Sequence, residues 1–98
     1  MQEQSTRDAV REVAFAYWRD KGRGITVVRK LIWQAIETAR GAFNADELLA
    51  MVREQDKAVS PSTVYRNLKD LIDANVLQEL QGPDDRKVYV VANGEMTA

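Results

Sequence analysis

Cysteine and histidine are both absent from the 98 residues of this chain. Without thiols there are no disulfides, zinc–thiolate centres or cysteine nucleophiles. Without imidazoles the usual general base near neutral pH is missing too. Aspartate and glutamate remain as ligands for a hard cation, but no Asp-x-Asp or Asp-x-Asn-x-Asp-Gly loop arranges them. There is no glycine-rich phosphate loop and no evident carboxylate acid/base pair. An enzyme, a cofactor, a metal site and a small-molecule substrate are therefore not expected. No apolar run approaches the roughly 18 residues of a membrane span, and no secretory pattern opens the chain, so the cytoplasm is the expected compartment.

The length permits one domain with a modest core. At 45% hydrophobic and 30% charged residues, the composition is that of an ordinary globular protein. The net charge of −1 speaks against nucleic acid only as an average, because local potential depends on placement. Arg19, Lys21, Arg23, Arg29 and Lys30 face the single acid Asp20 within one short stretch. Acids gather elsewhere, at Asp46, Glu47, Glu54 and Asp56. A basic patch is thus available, although any one of these charges also reads as ordinary solubilising surface.

Helical periodicity dominates the first three-quarters of the chain. Thr6 reads as the cap of a first helix ending near Arg19, with Asp8 in its first turn. Ala9, Val10, Val13, Ala14 and Tyr17 form its apolar stripe, which Phe15, Ala16 and Trp18 widen. Lys21-Gly22-Arg23-Gly24 ends it. Thr26 caps a second helix over 27–39, with Val28, Leu31, Ile32, Ala35, Ile36 and Ala39 inward. Val27 and Trp33 extend its apolar arc to about two-thirds of the circumference. Together the two helices carry more apolar surface than one small core hides, which implies a homodimer joined through them. The competing reading packs Trp33 inside its own subunit.

Asn44 caps a third helix over 45–55, built on Leu48, Leu49 and Val52. Ser60 caps a fourth over 61–74, with Pro61 in the first position, where a missing N–H is harmless. Asn75 is suited to the left-handed conformation that stops it. Two strand-like runs follow, 76–81 and 87–91, joined by the turn residues 82–86. Residues 93–98 have little to fold with. The expected fold is mainly α with a small β-hairpin: a winged helix-turn-helix with an extra N-terminal helix. Residues 1–21 form that helix and candidate dimerisation element, 22–92 the winged domain, and 93–98 a tail.

The fourth helix carries the functional signal. Val64, Leu68, Leu71 and Ile72 share one face at about 100° per residue. Ser62, Tyr65, Arg66 and Lys69 fall on or near the other, a set of donors suited to a DNA major groove. A merely solvated face is the plainer reading of the same stripe.

Four pieces resemble the DNA-binding half of the ferric uptake regulator (Fur) family of bacterial repressors. Gly22-Arg23-Gly24-Ile25-Thr26-Val27-Val28-Arg29 is similar to the family's Gly-x-Arg/Lys-x-Thr-x-x-Arg lead-in to its second helix. Asn44-Ala45-Asp46-Glu47-Leu48 is similar to Ser-Ala-Glu-Glu-Leu. Ser62-Thr63-Val64-Tyr65-Arg66-Asn67-Leu68 resembles the recognition-helix Ala-Thr-Val-Tyr-Arg-x-Leu, and Lys87-Val88-Tyr89-Val90 the closing wing strand. The resemblance implies base contacts from Tyr65 and Arg66, phosphate contacts from Ser62 and Thr63, and backbone support from Arg29. Arg23 lies near the family's basic residue that approaches the minor groove, although Gly24 competes for that place. Lys69 and the wing residues Arg86 and Lys87 complete the expected phosphate neutralisation.

Family members continue into a second domain that dimerises and carries histidine-rich metal sites, and this chain ends about where it would begin. The family's sensing site also draws a histidine from just before the third helix and an acid from the last wing strand. Here those regions offer Gly41-Ala42-Phe43 and Val90. A metal-blind regulator is the expectation, and Met1 favours a naturally short relative over an excised domain. Two functions remain in play. One is a sequence-specific double-stranded DNA binder acting in transcription, as a homodimer. The other is a protein-interaction winged helix that has lost DNA reading, favoured by Asp70 and Asp73 on the reader helix and Asp84 and Asp85 at the wing tip.

Overall fold

The capping chemistry places the element boundaries. The computed structural model describes residues 2–39 and 41–92, with side chains from residue 9 onward, and the tail expected at 93–98 lies outside the described residues. Helix α1 spans Gln2–Asp20, α2 Val27–Ala39, α3 Ala45–Arg53 and α4 Pro61–Asp73; strands β1 (Leu77–Gln81) and β2 (Lys87–Val91) close the chain. Thr26 Oγ1 accepts from the Arg29 amide at the start of α2. Asn44 and Glu47 form a reciprocal capping box on α3, each side chain accepting from the other's backbone N–H at 2.8 Å. Ser60 Oγ accepts from the Thr63 amide, with Pro61 behind it in the first turn of α4.

Two helices stop in the same way. At Gly22 (φ 75°) the Gly22 amide donates to the Arg19 carbonyl and the Arg23 amide to that of Trp18. At Asn75 (φ 63°) the Asn75 amide donates to Ile72 and the Val76 amide to Leu71, both at 2.9 Å. This paired pattern satisfies the last carbonyls and reverses the chain. At α4 the reversal points the chain straight into β1.

Two boundaries differ from expectation by more than one residue. Helix α1 begins at Gln2, so Thr6 lies within it and is not its cap. The residues before Thr6 include no glycine or proline to stop a helix. Helix α3 ends at Arg53, two residues early, because the chain tightens and the Gln55 amide reaches the Val52 carbonyl.

The core lies between the helices and the root of the hairpin. Trp18, Ile32, Leu48, Val52, Val64, Leu68 and Leu71 are sealed in it. Trp18 sets the rotation of α1, because its indole has the most apolar surface to hide. Ala14, one turn earlier, follows it inward, and Val13 turns out to 51% exposure, contrary to the expected stripe. Trp33 is 3% exposed and packs within its own subunit, as the competing reading held. The apolar excess that implied pairing through α1 and α2 is therefore largely absorbed, leaving Val13 and Val27 on the surface. Among the described residues no helix is long and apolar enough to cross a membrane.

The hairpin is antiparallel, with Leu77 opposite Val91, Glu79 opposite Tyr89 and Gln81 opposite Lys87. Its tip is a tight turn over Pro83–Asp85, with Asp84 and Asp85 both in the left-handed region at φ 58° and 60°. Gly82 is obligatory there: its amide donates to the Arg86 carbonyl at 2.6 Å, and a Cβ would stand 2.8 Å from that oxygen. Strand β2 also exchanges two backbone hydrogen bonds with Phe43, at 2.7 and 3.0 Å through Tyr89. The wing is thereby stitched to the residue before the α3 cap.

The positive φ of Asn75 makes a stability prediction. Asn75→Val places a β-branched residue in the left-handed region and should lower unfolding free energy by about 1–2 kcal/mol, whereas Asn75→Gly should not. Urea midpoints of the two variants check this.

Candidate nucleic-acid interface

Burial of Val64, Leu68 and Leu71 fixes which side of α4 meets solvent. Ser62, Tyr65, Arg66 and Lys69 all lie on the opposite, exposed side, within roughly 100° of arc at 100° per residue. Tyr65 is 53% exposed, the largest aromatic surface offered by α4. The Arg66 guanidinium has no hydrogen-bond or ion-pair partner among the described residues. The expected reader side chains are therefore outward and unobstructed.

Three hydroxyls gather at the start of the helix. Ser60 Oγ shares hydrogen bonds with Ser62 Oγ at 3.1 Å and Thr63 Oγ1 at 3.0 Å, while capping the Thr63 amide. Thr63 is half-buried, and Ser62 is the more open of the expected phosphate contacts. The positive end of the helix dipole lies at this cluster.

The wing closes the other side. Tyr65, Tyr89, Arg86 and Lys87, with Asn44, Ala45, Asp46 and Asp85, line an open groove of about 420 Å³ between α4, the start of α3 and the hairpin tip. Arg86 and Lys87 are exposed; Lys87 Nζ stands 3.7 Å from Glu79 Oε2, a weak surface pairing. Tyr89 is buried at the groove floor, its ring 5.9 Å from that of Phe43. Burial raises its phenol pKa above the ordinary 10.0, and the charges of Glu79 and Tyr65 add to the rise.

Arg23 and Arg29 occupy places that sequence reasoning did not anticipate. Arg23 grips Asp70 with both arms of its fork, Nε to Oδ2 at 2.7 Å and Nη2 to Oδ1 at 3.2 Å. Asp70 raises the Arg23 pKa further, by the hydrogen bond first and by charge second. Arg29 donates from Nε to Asn67 Oδ1 at 3.0 Å and from Nη1 to the Gly24 carbonyl at 2.8 Å, and stands 5.9 Å from the Trp18 ring centre. Neither is a free cation. Asp70, expected on the surface as a phosphate-repelling acid, is instead 5% exposed and neutralised by Arg23. It lies where the apolar and polar arcs meet, and the long-range ion pair decides which way it turns. Of the basic stretch, Lys21 also rests over its neighbour Tyr17, 5.5 Å from the ring centre.

Comparison with known proteins agrees with this architecture. The profile of the "Ferric uptake regulator family" matches residues 20–97. The chain belongs to the ferric uptake regulator family. Among solved structures it is similar to a zinc-bound manganese uptake regulator (27% identity, TM-score 0.69, covering 84% of this chain and 59% of that one). PerR from Streptococcus pyogenes, described as a peroxide-sensing gene regulator, matches at 27% identity and TM-score 0.71, covering 90% of this chain and 58% of its own. The Helicobacter pylori ferric uptake regulator has the same fold, with TM-score 0.79 at 21% identity, covering 91% and 59% respectively. This chain thus spans less than two-thirds of the length of those relatives. No curated protein matches it.

The Fur resemblance implies a metal, and the residues present do not fit one. The segment Gly41-Ala42-Phe43, where the family draws a histidine, offers no imidazole, Phe43 being buried against Tyr89, and Val90 offers no donor where the family has an acid. No group of three histidine, cysteine, aspartate or glutamate residues could hold an ion among the described residues. In this Fur-family chain, backbone bonds and an aromatic pair join wing to α3.

The raised Tyr89 pKa predicts an alkaline liability. The stability that comes from keeping its phenol neutral is present in full below the unfolded value near pH 10 and is lost as pH climbs through the higher folded value. Urea titrations between about pH 9 and 11.5 should show the unaltered chain losing stability more steeply than Tyr89→Phe.

Proposed function

We propose that this chain is the DNA-reading domain of a transcription regulator and binds double-stranded DNA sequence-specifically. The observation that carries this reading is the outward display of Tyr65 and Arg66 on the face of α4 opposite its packed aliphatics. A helix of this size fits the major groove. Arg66 engages a guanine edge through two donors, and Tyr65 contacts a thymine methyl or neighbouring edge. The Ser62 and Thr63 hydroxyls, with Lys69, Arg86 and Lys87, meet phosphates on either side.

Each neutralised phosphate should contribute about −0.9 to the log–log salt slope. One such module buries only roughly 600–1,000 Å² of its own surface on DNA, so a monomer binds weakly. Two-fold pairing would place a second α4 one helical turn away. We assign that pairing to the first two helices, each of which leaves one large apolar side chain exposed, Val13 on α1 and Val27 on α2. The lack of a donor in Gly41-Ala42-Phe43 and at Val90 supports DNA reading that needs no metal held by this domain. Its place of action is the cytoplasm.

A second reading, a protein-interaction winged helix, is favoured by Asp73, Asp84 and Asp85, exposed on or beside the same face. It loses support at Asp70, whose charge Arg23 neutralises. Binding of random-sequence DNA at low salt separates the two: complete indifference supports the interaction module.

Arg66→Ala tests the reader assignment. Fluorescence anisotropy against duplexes selected from a random pool should show about 1–3 kcal/mol of lost discrimination at one base position. An unchanged preference removes Arg66 from the reading face.

A further inference from the structure

Asp70 stands one helical turn beyond Arg66, and the two are close neighbours on the surface of α4. An aspartate there is a ready local partner for the guanidinium that should face DNA. Yet Asp70 is 5% exposed, and both its oxygens are taken by Arg23, 47 positions earlier in the chain. Beside it Asn67, 2% exposed, accepts from Arg29 at Oδ1 and donates from Nδ2 to the Thr63 carbonyl at 2.9 Å. Arg29 in turn holds the Gly24 carbonyl, so the loop carrying Arg23 is secured by the same residue that secures Asn67. The result is a polar clamp along one flank of α4, adjoining Arg66.

We propose that Arg23 and Arg29 are positioning residues for base recognition and not phosphate ligands, with Arg23 keeping Asp70 from capturing Arg66. This rests on the DNA-reading function proposed above. A bidentate Arg–carboxylate pair is geometrically demanding, and a lone buried carboxylate must find a replacement donor. With Arg23 removed, Arg66 supplies that donor by folding back along its own helix. Its two donors then leave the guanine edge, and sequence preference falls while phosphate contacts stay in place. Arg29 acts through Asn67 on the same helix, fixing its rotation about the Val64–Leu68–Leu71 stripe.

The two roles leave different signatures. A phosphate ligand contributes to all sequences alike and to the salt slope; a positioning residue contributes to discrimination alone. The experiment compares the unaltered chain, Arg23→Gln, and the double variant Arg23→Gln/Asp70→Asn, in anisotropy titrations against a selected duplex and a random one across a salt series. Circular dichroism melts check folding. For Arg23→Gln the expected result is a loss of about tenfold in the selected-to-random ratio, within the range one bidentate base contact supplies. The salt slope on random DNA should stay unchanged. The double variant has no buried charge left to satisfy and should regain the lost ratio. It serves alone should the single variant fail to fold. A slope shallower by about 0.9 in either variant, with both duplexes weakened equally, makes Arg23 a phosphate ligand and overturns the inference while leaving the DNA-reading function intact. A double variant that stays unselective also overturns it. Failure of the unaltered chain to prefer any selected duplex removes the DNA-reading function itself, and this inference with it.

Discussion

The rotation of α4 about its own axis is the constraint on which the rest of the structure depends. Three aliphatic side chains, Val64, Leu68 and Leu71, are sealed beneath it, packed among α1, α3 and β1. A helix turned by one residue, about 100°, would bury Tyr65 and expose Val64. Burying each aliphatic contributes on the order of 1.5–3 kcal/mol, so the outward display of Tyr65, Arg66 and Lys69 follows from the hydrophobic stripe behind them. The front of the helix is free to specialise because its back is so strongly determined.

Polar interactions refine what the apolar stripe sets roughly. Helix α4 has Ser60 at one end and Asn75 at the other, and each device meets backbone groups the helix leaves open. Along its flank, Asn67 and Asp70 reach arginines from α2 and the preceding loop. Buried polar groups are costly unless paired, and these are fully engaged. The wing is held at a fixed place beside the helix by the backbone exchange between Tyr89 and Phe43. Helix α4 and the wing are thus parts of one packed unit, with the groove between them bounded by Tyr65 on one side and by Arg86 and Lys87 on the other.

What could be read from the sequence was largely local. Asn44, Ser60, Pro61 and Asn75 announce helix ends through chemistry that acts within four residues, and α2 and β2 fall where their periodicity places them. The outward face of α4 was legible for the same reason, since helical phase separates Tyr65 and Arg66 from Val64 and Leu68. The misplaced residues are those whose environment is set from far away. Val13 looks as apolar as Ala14, and only the packing of Trp18 turns one out and the other in. Trp33 carries no mark saying which subunit covers it. Arg23 and Arg29 resemble surface cations in a basic stretch, because their partners Asp70 and Asn67 lie 47 and 38 positions away. Charge patterning detects composition; it does not detect pairing across the fold.

The most direct test of the central claim is a residue-by-residue map of where DNA touches the chain. Backbone amide shifts would be followed by two-dimensional NMR while a selected duplex is titrated in. The account predicts that the largest changes fall at the start and outer face of α4, Ser62 to Lys69, and at the wing residues Arg86 and Lys87. Changes concentrated on α1 and α2, with α4 silent, would contradict it.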